Sequence, residues 1–161
     1  MPRLAPSAGV GGQPFIQPLT LGGVLEIDRT LSASVQAPPD RCLAVLRDVA
    51  GYPRWSRLVG AVDVVDDDRV RLRADVLGLS VVMDCVLEAA EGSATLRRLP
   101  NDPGDDEQFT AAWTVGDAPS GAEVELHMRA AVNAPGPARL IRGRVERKLA
   151  DELLADFVAA V

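Results

Sequence analysis

The order of apolar patterns along this chain predicts an α+β fold, in which a curved antiparallel sheet of about six or seven strands wraps one long C-terminal helix and encloses an apolar cavity. Three observations carry this. The segment Ala37–Val62, APPDRCLAVLRDVAGYPRWSRLVGAV, reads as the end of a strand, paired prolines and a short helix that breaks at Gly51 into Tyr52-Pro53-Arg54-Trp55. From Val64 to Val132 the apolar residues alternate with polar ones between turn signals. At the end, Ile141, Val145, Leu149, Leu153 and Phe157 recur every fourth residue, the spacing of one helix face.

Residues 1–23 contain four prolines and five glycines, too many to sustain helix or sheet, and read as a flexible tail preceding a domain over 24–161. The first strand follows. Leu25, Ile27, Leu31, Ala33 and Val35 share one face, with Arg29 interrupting it, and Glu26, Asp28, Thr30, Ser32 and Ser34 share the other. Pro38-Pro39-Asp40 starts a helix, because proline suits the first turn and an acid there meets the helix dipole. Cys42, Leu43, Val45, Leu46 and Val49 form its buried side, Gly51 and Pro53 stop it, and 57–61 read as a further short helical turn.

Val64-Val65 runs into an Asp66-Asp67-Asp68 hairpin turn, after which Val70, Leu72, Ala74 and Val76 alternate with Arg71, Arg73 and Asp75. Gly78 turns into a strand on which Leu79, Val81, Met83, Cys85 and Leu87 share a face. Gly92-Ser93 leads to a strand over 94–99, and the acidic loop NDPGDDE over 101–107 leads to one carrying Phe109, Ala111, Trp113 and Val115. The clearest alternation comes last, with Val124, Leu126, Met128, Ala130 and Val132 facing in and Glu123, Glu125, His127 and Arg129 facing out. Pro135-Gly136-Pro137 introduces the final helix. A strict four-residue repeat drifts around a straight helix, so its apolar stripe widens toward the C-terminus.

Composition narrows the function. The net charge is −6 and aromatics make up 4% of residues, which opposes a nucleic-acid partner needing clustered basic groups and stacking platforms. Cys42 and Cys85 lack metal-ligand spacing and read as buried free thiols. With one histidine no histidine-based metal site is expected, nor is any cofactor. No signal-peptide core and no membrane-length apolar run is present, so a cytoplasmic protein without an integral membrane segment is expected. A homodimer is left open.

Few residues offer chemistry. His127 falls on the polar face of its strand, away from any cavity, and Asp84 shares a face with Ser80 and Glu88, which also points outward. Arg29 falls among inward residues. It needs a carboxylate, a carbonyl or a ligand oxygen, and can serve as a pocket anchor or as an ion pair at the sheet edge. The runs at 66–68 and 102–107 lack the spaced ligands and glycine of a calcium loop, and no nucleophile-elbow or phosphate-loop motif occurs.

Three pieces of the chain carry a family resemblance: Ala37-Pro38 with the helix to Trp55, the Phe109-x-x-x-Trp113 strand, and the helix from Ala138. Together they cover roughly 24–161. On them the chain resembles the START-like or helix-grip superfamily, and within it the polyketide cyclase and coenzyme-Q-binding (SRPBCC) branch. The resemblance implies a cavity between sheet and helix that holds a sterol, lipid, quinone or polyketide, with cyclisation or dehydration in some members. Two features depart from the pattern. The arginine that aromatase/cyclase relatives place on a long middle strand has no counterpart in 81–90, and Asp105-Asp106-Glu107 stands where a glycine commonly precedes the Phe-to-Trp strand.

The expected function is binding or sequestration of a hydrophobic small molecule, such as a lipid, isoprenoid quinone or polyketide. The alternatives are a polyketide cyclase/dehydratase and a protein-interaction module with an incidental cavity. Whether the chain is an enzyme stays open, and no catalytic residue is assigned. The candidate pocket residues are Arg29 as polar anchor, Tyr52 and Trp55 at the mouth, Val81, Met83 and Cys85 on one strand, Phe109 and Trp113 on the next inward face, Leu126 and Met128 on the last strand, and Ile141, Val145 and Leu149 on the helix. For Tyr52, Trp55, Phe109 and Trp113, plain core packing is the competing role.

Overall fold

The computed structural model describes residues 22–76, 78–135 and 142–161. The expected tail, apart from Gly22 and Gly23, lies outside them, as do Ile141 and the turn leading into the last helix. In chain order the elements are β1 (Gly22–Val35), α1 (Pro39–Arg47), a 3-10 helix (Val49–Arg54), β2 (Val59–Val64), β3 (Arg69–Val76), β4 (Leu79–Ala90), β5 (Ser93–Arg98), β6 (Gln108–Ala118), β7 (Gly121–Pro135), α2 (Arg142–Glu146), a π-helical turn (Arg147–Asp151) and α3 (Glu152–Ala160). The seven strands form one antiparallel sheet in the order β1-β7-β6-β5-β4-β3-β2, open at its β1 and β2 edges.

Alternation decides which face is covered. On β3, Val70, Leu72 and Ala74 are buried while Arg69, Arg71 and Arg73 are exposed. On β7, Ala122, Val124, Leu126, Met128 and Ala130 are buried, and Glu123, Glu125 and Arg129 face water. β1 pairs with β7 along its whole length, from Gly22 opposite Pro135 to Val35 opposite Ala122. The outer face carries the charge. Arg71 grips Asp84 through Nε at 2.8 Å and Nη2 at 3.3 Å, and His127 Nε2 sits 2.8 Å from Asp28 Oδ1. Both His127 and Asp84 thus lie outside the cavity, and Cys42 and Cys85 are buried free thiols.

The C-terminal helix is tied to the concave face at several points. Phe157 is fully buried and packs on Trp113 at 5.1 Å and on Trp55 at 5.8 Å between ring centroids. Such a buried aromatic side chain contributes about 3–5 kcal/mol relative to alanine. Asp156 accepts two 2.9 Å hydrogen bonds from Arg57, one from its backbone N–H and one from Nε. Arg29 Nη2 donates to Asp151 Oδ1 at 2.7 Å, joining edge strand β1 to the helix.

Three local expectations are corrected. Gly51 and Pro53 are not what ends α1, which already stops at Arg47 where Asp48 leaves helical geometry. A 3-10 helix runs through Gly51 and Pro53, because i→i+3 bonding survives around them: Gly51 N–H donates to Asp48 O at 3.0 Å and Trp55 N–H to Tyr52 O at 3.1 Å. Residues 57–61 do not form a further helical turn, because Val59 already pairs with Ala74 in the sheet, with a register shift before Ala61. The last helix is not uniform. The four-residue repeat outruns the α-helical 3.6, and the wider turn at Arg147–Asp151 takes up the excess. Val145, Leu149 and Leu153 therefore stay on one side and face the same cavity.

Candidate functional site

Between the concave sheet face and the C-terminal helix lies a cavity of about 380 Å³. Its walls follow from the strand alternation. Leu25 and Ile27 contribute from β1, Leu72, Ala74 and Val76 from β3, and Leu79, Val81 and Met83 from β4. Leu96, Phe109, Ala111, Trp113, Met128, Ala130 and Val132 continue across β5, β6 and β7, and Val145, Leu149 and Leu153 form the helical roof. Tyr52, Leu58 and Val59 complete the wall beside β2. The opening is marked by lining residues that reach water. Leu79 is 61% and Val81 45% exposed, and Asn133 is exposed on β7. Leu79 and Val81 stand at the β3–β4 hairpin, which turns at Gly78 in the left-handed region, with φ of 85°.

The sequence-predicted residues fall into three groups. Tyr52, Val81, Met83, Phe109, Trp113, Met128, Val145 and Leu149 all line this one cavity. Arg29, Trp55, Cys85 and Leu126 do not line it, and Ile141 lies outside the described residues. Arg29 points inward as its strand parity requires. At the edge strand, however, it meets the helix and is held by Asp151 at 2.7 Å and Glu146 at 3.9 Å. It is a partly exposed strap. Trp55 lies beneath the helix against Phe157 and Tyr52. Cys85 is fully buried, and desolvation pushes its thiol pKa up to about 12, leaving a neutral thiol.

Tyr52 is not at the mouth. It is 4% exposed, and its hydroxyl donates to Leu46 O at 2.5 Å. Burial raises its pKa far above the usual phenol range, so it stays protonated and packs as wall.

The cavity's polar group was not anticipated. Arg98, at the end of β5, has a side chain only 7% exposed and lines the cavity with Glu107 and Asn133. It donates from Nη2 to Asp105 Oδ2 and from Nη1 to the Glu107 carbonyl, both at 2.7 Å. Asp105 also accepts the backbone N–H groups of Asn101 at 2.8 Å and Glu107 at 3.1 Å. The Arg98 hydrogen bond, then these two amides, hold its carboxyl well below the usual range. Glu107 uses Oε2 to accept the Asn133 N–H at 2.7 Å, while its Oε1 stands 3.8 Å from Arg98 Nη2. The acidic loop is thereby folded back onto the rim. The parity of Ala94, Leu96 and Arg98 was the available signal, since the first two are buried and the third shares their face.

Among the described residues, no group of His, Cys, Asp and Glu could hold a metal ion, and no helix is long and apolar enough to cross a membrane.

Comparison with known proteins agrees with this architecture. Residues 35–158 match the family model described as polyketide cyclase / dehydrase and lipid transport. No curated protein matches. Among solved structures, a START superfamily protein from Mycobacterium smegmatis is similar at TM-score 0.58 and 16% identity, over 84% of this chain and 99% of that one. The Zhui aromatase/cyclase from a Streptomyces species is similar at TM-score 0.57 and 20% identity, over 86% and 89%. A STAR-related lipid transfer protein from Xanthomonas axonopodis is similar at TM-score 0.58 and 20% identity, over 81% and 83%. At these identities the likeness is one of fold.

Proposed function

The chain belongs to the polyketide cyclase / dehydrase and lipid transport family, and from that premise we propose that it binds and sequesters a hydrophobic small molecule, such as a lipid, isoprenoid quinone or polyketide, in its internal cavity. The observation that carries this reading is the cavity itself, about 380 Å³ behind an apolar wall with one polar corner. That volume lies within the range of small-molecule sites, which are mostly apolar with a few placed polar groups. Tyr52, Val81, Met83, Phe109, Trp113, Met128, Val145 and Leu149 are the proposed ligand contacts. Apolar burial supplies the affinity, at about 25 cal/mol per Å² removed from water. The hairpin at Leu79 and Val81 and the rim loop at Glu107 frame the route in. The free thiols Cys42 and Cys85 support placing this activity in the reducing cytoplasm.

The decisive experiment is native mass spectrometry of protein purified from its own cells, with identification of whatever dissociates. A stoichiometric apolar adduct is expected. An empty protein that also gains no thermal stability from lipids, quinones or polyketides would move the reading to an interaction module. Ligand at a hundred times its Kd should raise stability by about 2.7 kcal/mol, which a melt detects readily.

A second reading is favoured by one observation. Arg98 and Glu107 set a cation and a carboxylate beside an otherwise apolar space, where a bound polyketide chain could be folded for cyclisation or dehydration. Loss of turnover in Glu107→Gln with ligand binding retained would establish that role. Binding without any product, in wild type as in the variant, leaves the carrier.

A further inference from the structure

The polar corner has a definite charge and a definite gap. Arg98 contributes one positive charge, while Asp105 and Glu107 contribute two negative ones, so the cluster is net anionic at neutral pH. Asp105 is already saturated by Arg98 and two backbone amides. Glu107 differs: its Oε2 is held by the Asn133 amide, and its Oε1 stands 3.8 Å from Arg98 Nη2, too far for a direct hydrogen bond. Both groups line the cavity. The gap suits one bridging oxygen that accepts from the guanidinium and donates to the carboxylate.

Resting on the reading that the cavity holds an apolar ligand, we propose that this corner recognises a neutral hydroxyl, alcohol or phenol, at the ligand's polar end. A hydroxyl both donates and accepts, and so serves Arg98 and Glu107 at once. An ether or ester oxygen accepts only, leaving Glu107 Oε1 without a donor where the ligand displaces water. A carboxylate or phosphate adds negative charge beside a cluster that already carries an excess of it, and bound against Arg98 it would sit close to Glu107. The site therefore discriminates by donor capacity and charge, with chain length read separately by the apolar walls.

The test uses three ligands with one decyl chain: decan-1-ol, decyl methyl ether and decanoate, titrated at pH 7.5 into wild type and Glu107→Gln by calorimetry. Decan-1-ol is expected to bind wild type tightest, with the ether and decanoate each weaker by about tenfold or more. In Glu107→Gln the decanoate penalty should shrink by about tenfold, because the excess charge is gone. Ether or decanoate binding as tightly as the alcohol overturns the hydroxyl assignment and leaves the carrier reading intact. A decanoate penalty unchanged in Glu107→Gln overturns the assignment to this corner. Failure of all three ligands to bind overturns both the assignment and the carrier reading on which it rests.

Discussion

Filling the cavity from inside should stabilise the protein, and the sign of the effect tests whether the space exists. Ala130 on β7 is 7% exposed, lines the cavity, and stands in register with Ile27 on one side and Phe109 on the other. Ala130→Leu adds three carbons to apolar surroundings. At about 0.8 kcal/mol per buried methylene they contribute about 2.4 kcal/mol. Ordering a leucine costs about 0.5–1 kcal/mol, leaving a net gain of about 1.4–1.9 kcal/mol. For a domain of this size that raises Tm by roughly 3–8 °C. Urea unfolding followed by tryptophan fluorescence, at unchanged m-value, measures it directly. The same variant should bind apolar ligands more weakly, because the added side chain competes for their volume. A loss of about 1–3 kcal/mol would be the signature of overpacking a filled core, and would refute the cavity and the binding reading with it.

Other consequences concern the groups around that space. Arg29→Gln should lower stability by less than about 1 kcal/mol, with the difference shrinking at high salt, because the Arg29–Asp151 pair is partly exposed; chemical denaturation at low and high salt checks both points. Asp105 has a folded-state pKa depressed below its unfolded value, so its contribution is complete above about pH 4 and is lost as pH falls below that. Asp105→Asn should therefore be less stable than wild type at pH 7 and show a shallower decline between pH 4 and pH 2 in acid titrations of unfolding. Both thiols have raised pKa values through burial, so neither Cys42 nor Cys85 should react with a thiol reagent at pH 8 until the protein is unfolded.

Period-two alternation was enough to place most of the sheet. A strand with one buried face cannot slip by one residue without reversing every side chain, so parity located Met83, Phe109, Trp113 and Met128 on the inner surface. Parity does not tell how far along a strand the cavity extends. Cys85 and Leu126 have the right face and are buried at 0% exposure, yet neither lines the cavity. Leu126 and Trp113 are in register with each other, and only the second lines the cavity. The helix shows the same limit. Its four-residue repeat identified Val145 and Leu149, whereas the π turn that keeps them aligned depends on how the helix meets the sheet.

Arg29 and Arg98 show why polar positions are harder to read than apolar ones. Both arginines occupy inward positions on their strands, and the same chemistry requires each to find oxygen partners. Their fates diverge because of place in the sheet. Arg29 lies on the edge strand β1, opposite Met128, where the helix passes close enough to offer Asp151 and Glu146. Arg98 lies on β5, the central strand of the seven, and ends its strand where the acidic loop begins. Asp105 reaches it across seven residues of chain and Glu107 across nine, so the loop that looks like a solvated charge run supplies the counterions for a buried cation. Inward parity, an interior strand and a following acidic loop together distinguish a cavity arginine from a strap. No one of the three does so alone, because an edge strand with the same parity gives the helix-bound arginine that Arg29 is.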